Sequence, residues 1–179
     1  MAHDHTDGLS RLAAGCTTEE AFALFDVLAP VRAAEMTGRW RGSELPTGHP
    51  LDGLLTASGW YGKQFDDPES VHPLLFSRGD DVFAAEPRRL RFGLTGRVPL
   101  RLVRAGRAAL RFLEPVLRTS KPRARLRDLD YRGTTSAAMI YDHLPVIDVF
   151  RRVDEHTLLG VVDMRGLAGP YFFVLRRQG

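Results

Sequence analysis

The residues best placed for chemistry stand at the end of an apolar run. Residues 134–145 read Thr-Thr-Ser-Ala-Ala-Met-Ile-Tyr-Asp-His-Leu-Pro. The apolar part predicts a strand, and Asp142 and His143 lie at its end. Histidine titrates near neutrality, so a His143–Asp142 pair at a pocket mouth suits acid–base proton transfer. Neighbours on a regular strand face opposite sides. Pro145 implies that the strand is already ending, which lets both side chains reach one mouth. Asp148, six residues past Asp142, could orient it from the next strand. His49 and His72, each beside a proline, are the other candidates, although a structural or surface role is the commoner use of a single histidine. The chain has no His-x-x-x-His, Cys-x-x-Cys, phosphate loop, Gly-x-Ser-x-Gly or dinucleotide fingerprint, which argues against the common hydrolases, zinc enzymes and nucleotide-dependent enzymes.

The same strand has two apolar faces, Ala138 and Ile140 on one and Ala137, Met139 and Tyr141 on the other. A sheet packed on a solid core needs only one. Either an inner cavity or a helix over the outer face explains the second. Small residues leave volume inside, and a flexible methionine adapts to a guest. Apolar walls with Tyr141, Asp142 and His143 at one end suit an amphipathic molecule with an apolar tail.

The surrounding segments predict an antiparallel meander. Residues 123–131, 136–141, 146–153, 157–164 and 171–177 alternate and are separated by tight turn signals. Five such strands with earlier ones are enough to close a small barrel, which removes exposed edges. Thr17 and Glu20 form a capping-box pattern before a helix that Pro30 stops, with Phe22, Phe25 and Leu28 on one stripe. Leu51 to Ser58 reads as a short helix, and Leu74–Phe76 and Asp81–Ala85 as short strands. Residues 1–16, including His3 and His5, read as a frayed start.

Composition sets the outer limits. With 179 residues, 44% hydrophobic and 26% charged, one soluble domain is expected over 17–179. It comprises parts at 17–85, 86–120 and 121–179. Cys16 is the single cysteine, so no intramolecular disulfide forms. No signal-peptide core or membrane-length apolar run is seen, and a cytoplasmic location is expected. The net charge of +3 conceals an asymmetry: residues 88–127 hold thirteen basic side chains and one acid, Glu114. Pro99–Leu113 predicts a helix with Arg97, Arg101, Arg104, Arg107 and Arg111 on one side. Such a face lies either in solvent or on an anionic membrane surface. Nucleic acid is not expected, because no recognition element accompanies the arginines.

Gly38-Arg39-Trp40-Arg41-Gly42, Pro46-Thr47-Gly48-His49-Pro50 and Gly59-Trp60-Tyr61-Gly62-Lys63 resemble the bacterial GXWXG domain. Lys121–Leu126, Tyr131-Arg132-Gly133, Tyr141–Pro145, Phe150–Asp154 and Phe172–Arg177 resemble the DUF4334 domain that follows it. Both are domains of unknown function. The first motif also resembles the opening strand of lipocalins, fatty-acid-binding proteins and nitrobindins. The expected fold is therefore mainly β with some α, a lipocalin-like antiparallel barrel with two or three covering helices. The expected ligand-binding set is Trp40, His49, Trp60, Tyr61, Met139, Tyr141, His143 and Phe172. The expected role is binding of a lipid-like small molecule. Proton-transfer catalysis in the same pocket and nitrobindin-type haem binding are the alternatives, and no cofactor other than haem is indicated.

Overall fold

The computed structural model describes residues 2–89 and 115–179. Among these residues nine strands make one sheet: β1 (Gly38–Leu45), β2 (Trp60–Asp67), β3 (Ser70–Arg78), β4 (Asp81–Ala84), β5 (Ala124–Tyr131), β6 (Thr134–Tyr141), β7 (Val146–Arg152), β8 (Thr157–Met164) and β9 (Tyr171–Arg177). Their order is β2-β1-β9-β8-β7-β6-β5-β3-β4, and β2 also pairs with β3. That pairing closes eight strands into an antiparallel barrel, with β4 added on β3. The fold is the lipocalin-like barrel that the sequence led us to expect. The arginine-rich helix expected at Pro99–Leu113, with Arg97–Arg111, lies outside the described residues. No described helix is long and apolar enough to cross a membrane.

The five strands of the meander appear where the alternation placed them. The β5–β6 turn is Arg132-Gly133, both with positive φ (51° and 74°). That is the two-residue turn whose twist matches a hairpin. Among the described residues, three α-helices attend the barrel: α1 (Ala2–Leu12), α2 (Thr18–Val27) and α3 (Leu54–Ser58). The capping box forms at α2, with Glu20 N–H donating to Thr17 Oγ1 and Thr17 N–H to Glu20 Oε2. The frayed start is a correction: α1 is a helix, and Leu9 is buried beside α2 in the outer cluster. That burial outweighs the weak helix propensity of Gly8.

Two apolar layers follow from this arrangement. The outer layer lies between the sheet and α1/α2 and includes Phe25, Leu28, Ala138, Val149, Val161 and Phe172. The inner layer fills one end of the barrel with Trp40, Phe65, Phe150, Met139, Ala137 and Leu126. Trp40 is buried there, its Nε1–H donating to the Thr37 carbonyl at 3.0 Å. A ladder of edge-on rings rises from this floor. Phe65 meets Phe150 at 5.9 Å, Phe150 meets Phe173 at 6.0 Å, and Phe173 meets Trp60 at 5.9 Å.

Two irregularities shape the barrel interior. A Cβ on Gly42 would fall 2.2 Å from the Trp60 ring, so this glycine is the seat on which Trp60 lies. The indole resting on Gly42 is therefore that of Trp60 on the neighbouring strand, not that of Trp40 on its own. The second irregularity is on β3. Gly62 pairs with Leu75 and Gln64 with His72, so three steps on β3 oppose two on β2. The bulge sits around Pro73, which has no N–H to give to the ladder.

Candidate functional site

The other end of the barrel is a cavity of about 520 Å³. Its walls come from successive strand ends. Trp60 and Leu74 stand on β2 and β3, Tyr141 on β6, Val146 on β7, Val162 and Met164 on β8, and Tyr171 and Phe173 on β9. Leu51, Leu54 and Leu55 close over it from α3 and the turn before it, and Leu144 and Pro145 from the β6–β7 loop. Arg88 lies at the rim, exposed.

The mouth is organised by two carboxylates. Glu44 accepts from the Leu55 N–H at 2.8 Å, from the Thr56 hydroxyl at 2.7 Å and from the Tyr171 hydroxyl. One side chain of β1 thus ties both α3 and β9 to the same wall. Burial, then the Glu44 charge, pushes the Tyr171 phenol up, so it remains a donor. Asp52 Oδ2 accepts from the N–H groups of Thr47 and His49, both at 3.0 Å, and holds the turn leading to α3.

Lys63 and Asp148 stand in the cavity wall, buried and facing each other. Lys63 Nζ lies 2.7 Å from Asp148 Oδ2, and their side chains are 3% and 2% exposed. Nζ also donates to the Pro73 carbonyl at 3.2 Å, an acceptor that the β3 bulge turns away from the ladder. Three rings surround the ammonium, with centroids at 4.9 Å (Phe173), 5.6 Å (Trp60) and 5.8 Å (Tyr141). Asp148 Oδ1 and Trp60 Nε1 are buried and have no hydrogen-bond partner among the described residues. Burial pushes the Asp148 carboxyl up, and Lys63 opposes this. Burial, followed by the Asp148 charge, raises the Tyr141 phenol well above its usual range. The result is a buried acid–base cluster in the wall of an apolar chamber, with an unpaired acceptor and an unpaired donor.

The expected residues divide across this picture. Trp60 and Tyr141 line the cavity. His49 stands behind Tyr171, ring to ring at 5.4 Å, and burial lowers its pKa. Its Nδ1 accepts from the Leu51 N–H at 3.1 Å. Trp40 and Met139 belong to the packed floor rather than the cavity wall. Phe172 faces the outer layer and meets Phe22 at 5.0 Å, while its neighbour Phe173 takes the inward place. Tyr61 lies outside the cavity, under the Arg41 guanidinium at 4.6 Å. Asp142 pairs with Arg125 at 3.0 Å, and His143 is exposed on the rim loop; neither lines the cavity. Asp148 does not orient Asp142, because it points at Lys63. His72 pairs with Asp66 at 3.4 Å.

Lys63 was the residue that sequence reasoning passed over, although a signal was present. Of 25 basic side chains only two are lysines, Lys63 and Lys121. A chain that uses arginine at 23 of its 25 basic positions keeps a primary amine on the barrel interior.

A closed antiparallel barrel with a covered outer face and an inner chamber defines the class as a lipocalin-like β-barrel. Residues 23–81 match the GXWXG protein family, and residues 122–177 match the domain of unknown function DUF4334. The crystal structure of a protein from Thermomonospora curvata is similar, with 33% identity and a TM-score of 0.69. The match covers 97% of this chain and 99% of that one. The chain belongs to the GXWXG–DUF4334 family. No curated protein matches it.

Proposed function

We propose that this protein binds an apolar or amphipathic small molecule inside the barrel. The observation that carries the reading is the chamber itself, walled by leucine, valine, methionine and aromatic side chains with one polar cluster. Its volume of about 520 Å³ lies within the range of roughly 300–1,000 Å³ usual for small-molecule sites. Glu44, which braces α3 and Tyr171, supports a mouth that is built rather than accidental. An apolar tail fits the walls, and a polar end lies towards the side of the chamber that Lys63 and Asp148 line.

A second reading, proton-transfer catalysis on such a guest, is favoured by one observation. A buried acid–base pair of opposite charge stands beside a phenol, and displaced pKa values of this kind mark functional groups. On this reading the catalytic groups are Lys63, Asp148 and Tyr141 rather than Asp142 and His143. Among the described residues no histidine lines the cavity, so the side chains there do not fit a histidine-ligated haem.

The test is titration with a fluorescent fatty-acid probe, using Trp60 as an energy donor. Saturable binding that Val162→Trp abolishes, with the fold kept, is the expected result. A parent protein that ignores the probe would remove the reading.

A further inference from the structure

Resting on the binding reading above, we infer that Lys63 captures a carbonyl: the guest is an apolar aldehyde or ketone, held as an imine on Nζ with Asp148 as its proton partner. The inference starts from the choice of side chain. Arginine has no nucleophilic nitrogen at accessible pH, whereas a buried lysine can lose its proton and attack a carbonyl. The chain has 25 basic side chains, of which only Lys63 and Lys121 are lysines, and Lys63 is the one that lines the cavity. Lys121 is exposed, on the segment leading into β5.

The geometry supplies what the reaction needs. Asp148 Oδ2, 2.7 Å from Nζ, accepts the ammonium proton and leaves a neutral amine beside a neutral acid. The amine's lone pair forms the carbon–nitrogen bond while the carbonyl π pair moves to oxygen, and a proton passes from that nitrogen to the oxygen to give a neutral carbinolamine. The Asp148 carboxyl then protonates the carbinolamine hydroxyl, which leaves as water. The product is a protonated imine facing the restored carboxylate. One ammonium and one carbonyl compound give one iminium and one water, with no change in oxidation state. The raised Asp148 pKa favours holding that proton between the two steps. The aromatic rings at 4.9–5.8 Å stabilise the cation before and after the step. The apolar walls receive the chain attached to the carbonyl.

Decanal is the probe, reduced in place with sodium cyanoborohydride and followed by intact-mass measurement and peptide mapping. Lys121 and the terminal amine serve as internal references. A single addition, equal to the aldehyde less one oxygen, is expected at Lys63, faster than at Lys121 by on the order of tenfold or more. Lys63→Arg, which keeps the cation and removes the amine, should lose that addition, and Val162→Trp should slow it. Parallel displacement of the fluorescent fatty-acid probe by decanal, and by decanol, separates the two claims. Displacement with no adduct at Lys63, or with labelling no faster there than at Lys121, overturns carbonyl capture and leaves the binding site standing. If neither compound displaces the probe and no adduct forms, both readings fall.

Discussion

Replacing Lys63 by Met tests the buried pair most severely. The substitution keeps an unbranched side chain of similar length and deletes the charge. Asp148, 2% exposed, then loses its ionic partner. Breaking a buried pair on one side costs about 3–5 kcal/mol at neutral pH. For a chain of this size each kcal/mol moves Tm by about 2–4 °C, so a fall of roughly 6–20 °C is expected. The pH dependence has a definite sign. Asp148 already has a folded-state pKa above its ordinary value, and Lys63 is what restrains it. A carboxyl raised in the folded state contributes stability that is complete below its unfolded pKa, near 3.9, and is lost as pH rises through the folded value. Removing Lys63 raises that value further. The deficit of Lys63→Met should therefore be large at pH 7–8 and shrink as the pH falls towards the unfolded pKa of the carboxyl. Lys63→Met with Asp148→Leu should recover most of the loss, since an apolar pair of similar volume removes the desolvation cost. Urea unfolding followed by tryptophan emission at several pH values measures all three. A neutral-pH loss below about 1 kcal/mol, or a deficit that does not vary with pH, would refute the reasoning.

Three further expectations follow from packing. Gly42→Ala places a methyl 2.2 Å from the Trp60 ring; it should cost about 1–3 kcal/mol, push the indole into the cavity and weaken probe binding, as emission and titration will show. Trp40→Ala should cost about 3–5 kcal/mol in urea unfolding, because its ring is part of the solid floor. Thr17→Ala removes the side-chain half of the α2 capping box and should lower stability by about 1 kcal/mol, with probe binding unchanged.

The meander was legible because its short apolar and β-branched runs are cut at regular spacing by turn signals, with Gly133, Gly166 and Gly169 at positive φ. β2 and β3 were not legible at full length. Pro68 and Pro73 read as strand breakers, yet Pro73 sits in a bulge, where a missing N–H costs little. The parity of β9 was equally hard to assign. Phe172 and Phe173 are both aromatic, and both sheet faces are apolar because α1 and α2 cover the outer one. Hydropathy cannot choose between two buried faces; the Phe22 contact and the Gly160 gap for the Phe173 ring decide it. The two explanations for the apolar faces of β6 are both present: helices cover Ala138, and Tyr141 borders the chamber. The acid–base pair was missed because Lys63 and Asp148 lie 85 positions apart and meet only across the closed barrel. Asp148 stands alone in the apolar run Val146-Ile147-Asp148-Val149-Phe150, which is the pattern of a carboxylate requiring a buried partner.

Occupancy of the chamber is the central claim, and what the purified protein carries tests it most directly. Parent protein and Val162→Trp, prepared in parallel, would be extracted with organic solvent and compared by untargeted mass spectrometry. The account predicts an apolar small molecule that co-purifies with the parent protein and is depleted in the variant. Identical extracts, together with no saturable probe binding to the parent protein, would contradict it.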